Sequence, residues 1–383
     1  MILQLLFILL SCVYCIHLLT YFYFWKIKST KKTIISSSSS EIPFISIVVV
    51  ARNEEINIQK CMSHLIAQNY PSDSFEIIFV DDFSEDKTLE LLRNLHHPMI
   101  QCISLAQVLS TAFTKTANKK KGISLAIKEA KGTIIACTDA DAFVSTNWLM
   151  QIRQSFENHD IQFCTAPVLY ANNESILEQF QTADMYSMIG LSAASIEMNQ
   201  PYMCNGANLA YRKSAFDLVE GYKNIDHLAT GDDVLLMHKI NAYFGKNAIY
   251  YNLNEDAIVY TYAEKNGDGF LQQRTRWVSK SAHYKNPFIK MTLAFMYVFH
   301  LCLLLWPIFI LCQLNNWYLY LLIIGSKTII DSVFIYSVSH KLNKPFNIFL
   351  MPIFEFIYIC YISIIGITAS FGNYTWKNRR LTK

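Results

Sequence analysis

The chain is short of charge. Asp, Glu, Lys and Arg make up 16% of its 383 residues, against about 25% in soluble domains. The shortage is local: residues 1–25 and 288–371 are poor in charge, whereas the middle has the composition of an ordinary soluble domain. A net charge of +3 is too small to argue for nucleic acid. Cys61, Cys102, Cys137, Cys164 and Cys204 are scattered through the middle with no C-x-x-C pair, and the other five cysteines lie in apolar runs, a pattern that gives neither a zinc site nor a disulfide framework and suits a reducing compartment. No basic residue precedes the first apolar run, so a cleaved signal peptide is a poor reading, even though "LLSC" at 9–12 has the outline of a lipoprotein site. No internal repeat is evident.

What is present divides the chain into zones. Residues 2–25 are apolar and long enough for a bilayer, which takes about 20 residues. Lys26, Lys28, Lys31 and Lys32 follow, placing the next domain in the cytoplasm by the positive-inside rule. The expected organisation is an anchor at 1–25, a basic and Ser-rich tether at 26–42, a catalytic domain at 43–286, a membrane region of two to three helices at 287–371 and a basic tail at 372–383. Lys327 and Asp331 stand four apart in the second C-terminal apolar stretch, a spacing that lets them pair on one helix face. The basic tail and the basic loop at 340–345 both favour the cytoplasm. That is satisfied if the last stretch, with Pro352 and Glu355 near its start, does not cross fully.

Between Pro43 and Asn286 buried strands alternate with amphipathic helices. Strands are expected at 44–51, 75–82, 99–105 and 132–141, with helices at 54–68, 85–95 and 120–131. That alternation implies an α/β domain with a mostly parallel sheet. Ligands of such sheets bind beyond the carboxyl ends of the strands.

Acidic motifs sit at those ends. "ARNEE" (51–55) follows the first strand, where Asn53 serves either a ligand or a helix cap. "VDDFSEDKT" (80–88) closes the second: Asp81 and Asp82 suit a base or ribose, and Ser84 suits helix entry. In "TDADA" (138–142) extended alternation sends Asp139 and Asp141 to one side, a hard-oxygen pair for Mg²⁺ or Mn²⁺, or else a solvated loop. "TGDDV" (230–234) places Asp232 and Asp233 before a helix, where one carboxylate can cap and the other act as base. "QQRTRW" (272–277) offers Arg276 to phosphate and Trp277 to a sugar ring, or both to a membrane interface.

Taken in order, A-R-N-E, D-D-x-S, D-x-D, G-D-D and Q-x-x-R-W resemble the motifs of family 2 glycosyltransferases, inverting enzymes of GT-A fold. The match covers about residues 43–280, and its Q-x-x-R-W form is similar to that of membrane polysaccharide synthases and ceramide-glucosyltransferase-like enzymes. The resemblance implies roles residue by residue. Ala51, Asn53, Glu54, Asp81 and Asp82 would line the nucleoside site. Asp139 and Asp141 would hold the metal and the sugar-nucleotide diphosphate. Lys121 and Arg276 would reach phosphate. Asp233 would be the base, with Asp232 beside it. Asn205, Gly206, Gln273 and Trp277 would border the acceptor. The expected protein is a bacterial inner-membrane enzyme with a cytoplasmic catalytic domain, a UDP-sugar donor and a lipid or lipid-linked saccharide acceptor. The alternatives are a processive polysaccharide synthase and a non-catalytic sugar-nucleotide-binding membrane protein. The oligomeric state stays open.

Overall fold

The computed structural model describes residues 2–30, 41–94, 97–109, 118–311, 316–371, 374–377 and 379–381. The Ser-rich tether lies outside the described residues. The chain forms two compact units.

One unit comprises Met1–Lys31, Glu174–Met198 and Glu264–Tyr374. Its helices are α1 (Ile2–Thr30), α2 (Ile176–Glu197), α3 (Gly267–Ser279), α4 (Pro287–Leu311), α5 (Trp317–Lys341) and α6 (Met351–Phe371). Among the described residues four helical segments are long and apolar enough to cross a membrane: Ile2–Thr30, Pro287–Leu311, Trp317–Lys341 and Ile348–Thr368. The unit also takes in α2, which the sequence reading had left inside the catalytic domain. The physical reason is burial on every side. Phe180, Met185, Ile189 and Ala193 are all covered, so α2 has no wide polar face to offer solvent. It starts with a capping box in which the Ser175 hydroxyl and the Glu178 carboxylate satisfy each other's backbone N–H. Gly190 lets it lie close against α5, since a Cβ there would stand 2.7 Å from Phe334 and from Val338.

Two groups of buried charge inside this unit are paired. Lys327 donates to Asp331 at 2.7 Å and to Glu355, and the Tyr14 hydroxyl donates to the other Asp331 oxygen at 2.6 Å. Asp184 of α2 accepts from Arg274 Nε at 2.9 Å and from the Tyr361 hydroxyl at 3.1 Å. Buried charges are retained where each has a partner, and these two sites join α1, α5 and α6, and α2, α3 and α6.

The other unit comprises Lys32–Asn173, Asn199–Ala263 and Thr375–Lys383. Its strands are β1 (Ile45–Ala51), β2 (Phe75–Asp81), β3 (Ile100–Ser104), β4 (Ile134–Asp139), β5 (Phe143–Val144), β6 (Phe163–Thr165), β7 (Val168–Tyr170), β8 (Leu209–Arg212), β9 (Ile249–Tyr251) and β10 (Val259–Thr261). The main sheet has the order β3-β2-β1-β4-β8-β6-β9. β3, β2, β1 and β4 are parallel, β8 runs antiparallel to both β4 and β6, and β9 is parallel to β6. β5, β10 and β7 make a small second sheet. β1 reads ISIVVVA and β2 FEIIFVD, both buried along their length, as strands covered on both faces must be. Beyond α6, β11 (Tyr374–Trp376) and β12 (Arg379–Leu381) pair as a two-stranded ribbon.

Candidate active site

Register brings the motifs together. Ala51 pairs with Asp81 across β1 and β2, and Val50 pairs with Asp139 across β1 and β4. Three strand ends, two of them closing in aspartate, therefore lie side by side at the carboxyl edge of the parallel strands, the ligand-binding edge of such sheets.

A lysine links two of the acidic motifs. Lys119 Nζ lies 2.8 Å from Asp139 Oδ1 and 3.2 Å from Asp232 Oδ2. Burial works against its ammonium, but Asp139 and Asp232 outweigh that and raise its pKa above the ordinary lysine value. Lys120 donates to the carbonyls of Leu228 (2.8 Å) and Thr230 (2.6 Å), anchoring the turn that carries Gly231 and Asp232. Gly231 has φ +84°, which glycine adopts without strain. Lys121, the lysine expected from sequence, instead lines an open groove with Phe216, Asp217 and Asp226. The signal for Lys119 was present: it falls at i, i+3, i+4 and i+7 with the buried Gly122, Ile123 and Ala126 of the helix Lys119–Glu129.

Asp233 is buried and caps the helix Val234–Phe244, its Oδ1 accepting from Val234 N at 2.6 Å. Gly206 faces the same acids: a Cβ there would stand 3.5 Å from Lys119 Nζ, 3.6 Å from Asp232 Oδ2 and 3.7 Å from Asp233 Cβ. The Asn205 side chain folds onto the backbone N–H of Ala207 at 3.0 Å, shaping that turn.

Asp141 is pushed up to about 7, first by burial and then by the Asp139 and Glu54 carboxylates. A carboxylate crowded by two others fits a divalent cation, and hard oxygen donors suit Mg²⁺ or Mn²⁺. Among the described residues no three His, Cys, Asp or Glu side chains are grouped to hold a metal on their own. Asp139 and Asp141 would therefore share the ion with ligands from a substrate.

At the end of β2 Asp81 and Asp82 behave differently. Asp82 is fully buried, and its oxygens accept from Asn118 Nδ2 at 3.1 Å and from Arg379 Nη1 at 2.7 Å. Asp81 receives Ser84 N at 3.4 Å on Oδ2, and its buried Oδ1 has no hydrogen-bond partner among the described residues. Burial raises its pKa. Glu54 is paired with Lys377 at 2.8 Å. Neither Arg379 nor Lys377 was picked out for this site from sequence.

Gln273, Arg276 and Trp277 belong to the helical unit. Gln273 Nε2 donates to Glu264 Oε1 at 3.2 Å, and Trp277 lies under the Arg274 guanidinium at 4.2 Å. Arg276 is half-buried. Arg274, which the motif's pattern leaves unspecified, carries the buried ion pair with Asp184.

Two family models match this chain: glycosyl transferase family 2 over residues 46–219, and glycosyl transferase family group 2 over residues 134–371. The chain belongs to glycosyltransferase family 2. Among curated relatives, a beta-monoglucosyldiacylglycerol synthase of Trichormus variabilis is 25% identical over 237 residues, which is 62% of this chain and 48% of the relative. A poly-beta-1,6-N-acetyl-D-glucosamine synthase of Staphylococcus epidermidis is 23% identical over 267 residues, 67% of this chain and 59% of the relative. The chain thus spans about half the length of the glycolipid synthase it matches. A solved structure of the mannosyltransferase PcManGT from Pyrobaculum calidifontis, in complex with GDP-Man and Mn²⁺, superposes with a TM-score of 0.62 at 16% identity, covering 96% of this chain and 99% of that one. This family 2 glycosyltransferase therefore has a GT-A fold, as its sheet order and motif positions led one to expect.

Proposed function

We propose that this glycosyltransferase moves a sugar, with inversion, from a UDP-sugar to a lipid or lipid-linked saccharide at the cytoplasmic face of a bacterial inner membrane. The observation that carries the reading is the Asp139–Lys119–Asp232 ion-pair chain, which gathers the D-x-D and G-D-D motifs around one cation beside Gly206. The four long apolar helices support a bilayer acceptor. So does the name of the glycolipid synthase relative.

The chemistry follows from the placement. An acceptor hydroxyl attacks the anomeric carbon as the bond to the diphosphate breaks, and the electron pair leaves with the diphosphate. The hydroxyl proton goes to Asp233, because an alcohol is a poor nucleophile without a base. Gly206 leaves room for the acceptor beside that carboxylate. Lys119 supplies positive charge where the diphosphate gathers negative charge. Asp139 and Asp141 would hold Mg²⁺ or Mn²⁺, which when bound contributes Lewis-acid neutralisation of that leaving group.

The test is a panel of labelled nucleotide sugars given to membranes containing the protein, with lipid-extractable product as the readout. No transfer from any of them would refute the proposal and favour a sugar-nucleotide-binding protein without chemistry. A second reading, processive polymer synthesis, is favoured by the polysaccharide synthase relative. It predicts a ladder of long products on a gel, where single transfer predicts one glycolipid.

A further inference from the structure

We infer that the segment following α6 is a wall of the donor pocket, and that its Arg379 is a positioning residue that decides which of the paired aspartates meets the nucleoside. This rests on the nucleotide-sugar reading above.

Asp81 and Asp82 are neighbours in sequence, and both are buried. Two such carboxylates cannot both stay charged unless something distinguishes them. Arg379 does so. Its Nη1 donates to Asp82 Oδ2 at 2.7 Å and its Nη2 to the Asp82 carbonyl at 3.2 Å, with the guanidinium itself buried. With Asn118 on Oδ1, both oxygens of Asp82 are engaged from within the protein. Asp81 Oδ1 is left buried without a donor among the described residues. Buried acceptors are nearly always paired, so this oxygen is placed to receive an N–H from a ligand.

The same segment fastens the neighbouring loop. Lys377 Nζ pairs with Glu54 at 2.8 Å, and its carbonyl accepts from Arg52 Nε at 3.3 Å. Arg52 in turn donates to the carbonyls of Asp82 and Phe83 and to the Glu85 carboxylate. Asn53 and Phe83, one in each loop, sit at φ 51° and 52°. Asn visits that conformation readily, but the bulky Phe83 holds it only where its surroundings impose it. The loops hold each other through Asn53 N to Ser84 Oγ (3.1 Å) and Glu85 N to Asn53 Oδ1 (2.9 Å), and Lys377 and Arg379 bolt both down from outside. Without Arg379 the Asp82 carboxylate is buried and uncompensated. It must turn away to find another partner, and the geometry at Asp81 is lost with it.

The experiment measures binding of UDP and of GDP, each with Mn²⁺, to the detergent-solubilised full chain by titration calorimetry. Arg379→Gln should weaken the nucleotide that binds by about tenfold. Arg379→Lys should fall between, because one ammonium cannot reach both the Asp82 carboxylate and its carbonyl. In Asp82→Asn, the further change Arg379→Gln should add little, since the charge that Arg379 offsets is gone. A role in folding alone would lower Tm while leaving the affinity of the folded fraction unchanged, and that outcome overturns the inference. So does unchanged binding in both Arg379 variants. If Arg379→Gln does not fold, Arg379→Lys and Lys377→Met decide, each expected to weaken binding. Wild-type protein that binds neither nucleotide sinks the nucleotide-sugar reading itself, which separates the two failures.

Discussion

Replacing Lys119 by Met removes the ammonium that bridges Asp139 and Asp232 and keeps most of the side-chain volume. At the observed separations of 2.8 and 3.2 Å, each contact is worth about 1.5 kcal/mol in water and nearly 6 kcal/mol at an effective dielectric of about 20. The Lys119 side chain is 23% exposed, so water screens part of this, and the lower half of the range applies. Those contacts hold the ammonium in place; removing it from beside the developing charge of the diphosphate should cost about 3 kcal/mol of transition-state stabilisation, roughly a hundredfold in kcat/KM. The defect has a second signature. Asp139 and Asp232 would each lose the Lys119 ammonium, so the variant should bind Mn²⁺ more tightly while turning over more slowly. Lys121→Met is the control: it lies in the groove beside Phe216 and Asp226 and should stay within about twofold of wild type. The assay is nucleotide-sugar turnover by purified protein across a metal titration. An active Lys119→Met, or an inactive Lys121→Met, would refute the reasoning and return the role to the lysine expected from sequence.

Asp233→Asn is nearly isosteric and should retain donor binding while losing transfer by about a hundredfold or more, the scale of general-base removal; if Asp232→Asn is the dead variant and Asp233→Asn is active, the two roles are exchanged. Asp141→Ala should weaken donor binding in Mn²⁺ buffer, and EDTA should abolish wild-type activity reversibly; full transfer in EDTA would count against a metal at Asp139 and Asp141. Gly206→Val should fold normally, since a Cβ there meets its neighbours only at 3.5 Å and beyond, yet the branched side chain should block transfer by filling space beside Asp232 and Asp233; an active variant would place the acceptor elsewhere. A cysteine at position 382, in a chain cleared of its natural cysteines, should resist membrane-impermeant thiol reagents in intact cells, and labelling from outside would contradict a cytoplasmic location.

Much of this was legible in sequence for physical reasons. Buried parallel strands write themselves as apolar runs, so β1, β2 and β4 and the acids at their ends could be found without coordinates. Helix phase could have chosen Lys119 over Lys121, but three lysines in a row hide the choice unless the buried face is worked out first. The separate fates of Asp81 and Asp82 were not legible. Their partners include Arg379, 297 residues away, and nothing local specifies such a contact. The place of α2 in the helical unit was not legible for a similar reason: its polar residues, Gln181 and Asp184 among them, look solvent-facing until their partners on Glu264, Arg274 and Tyr361 are known.

The return of the chain to the catalytic unit has a consequence of parity. That unit holds the chain up to Ala263 and takes it up again at Thr375. A path that leaves and re-enters on one side of a bilayer crosses it an even number of times. Three helices on the path, α4, α5 and α6, are long and apolar enough to cross, so the proposed cytoplasmic tail requires that one of them turn back. The features of α6 suit that part: Pro352 at its second position, Glu355 held by Lys327, and Tyr361 and Thr368 tied to α2 and α3 through Asp184 and Thr275. A helix that dips and returns displaces lipid from one leaflet only.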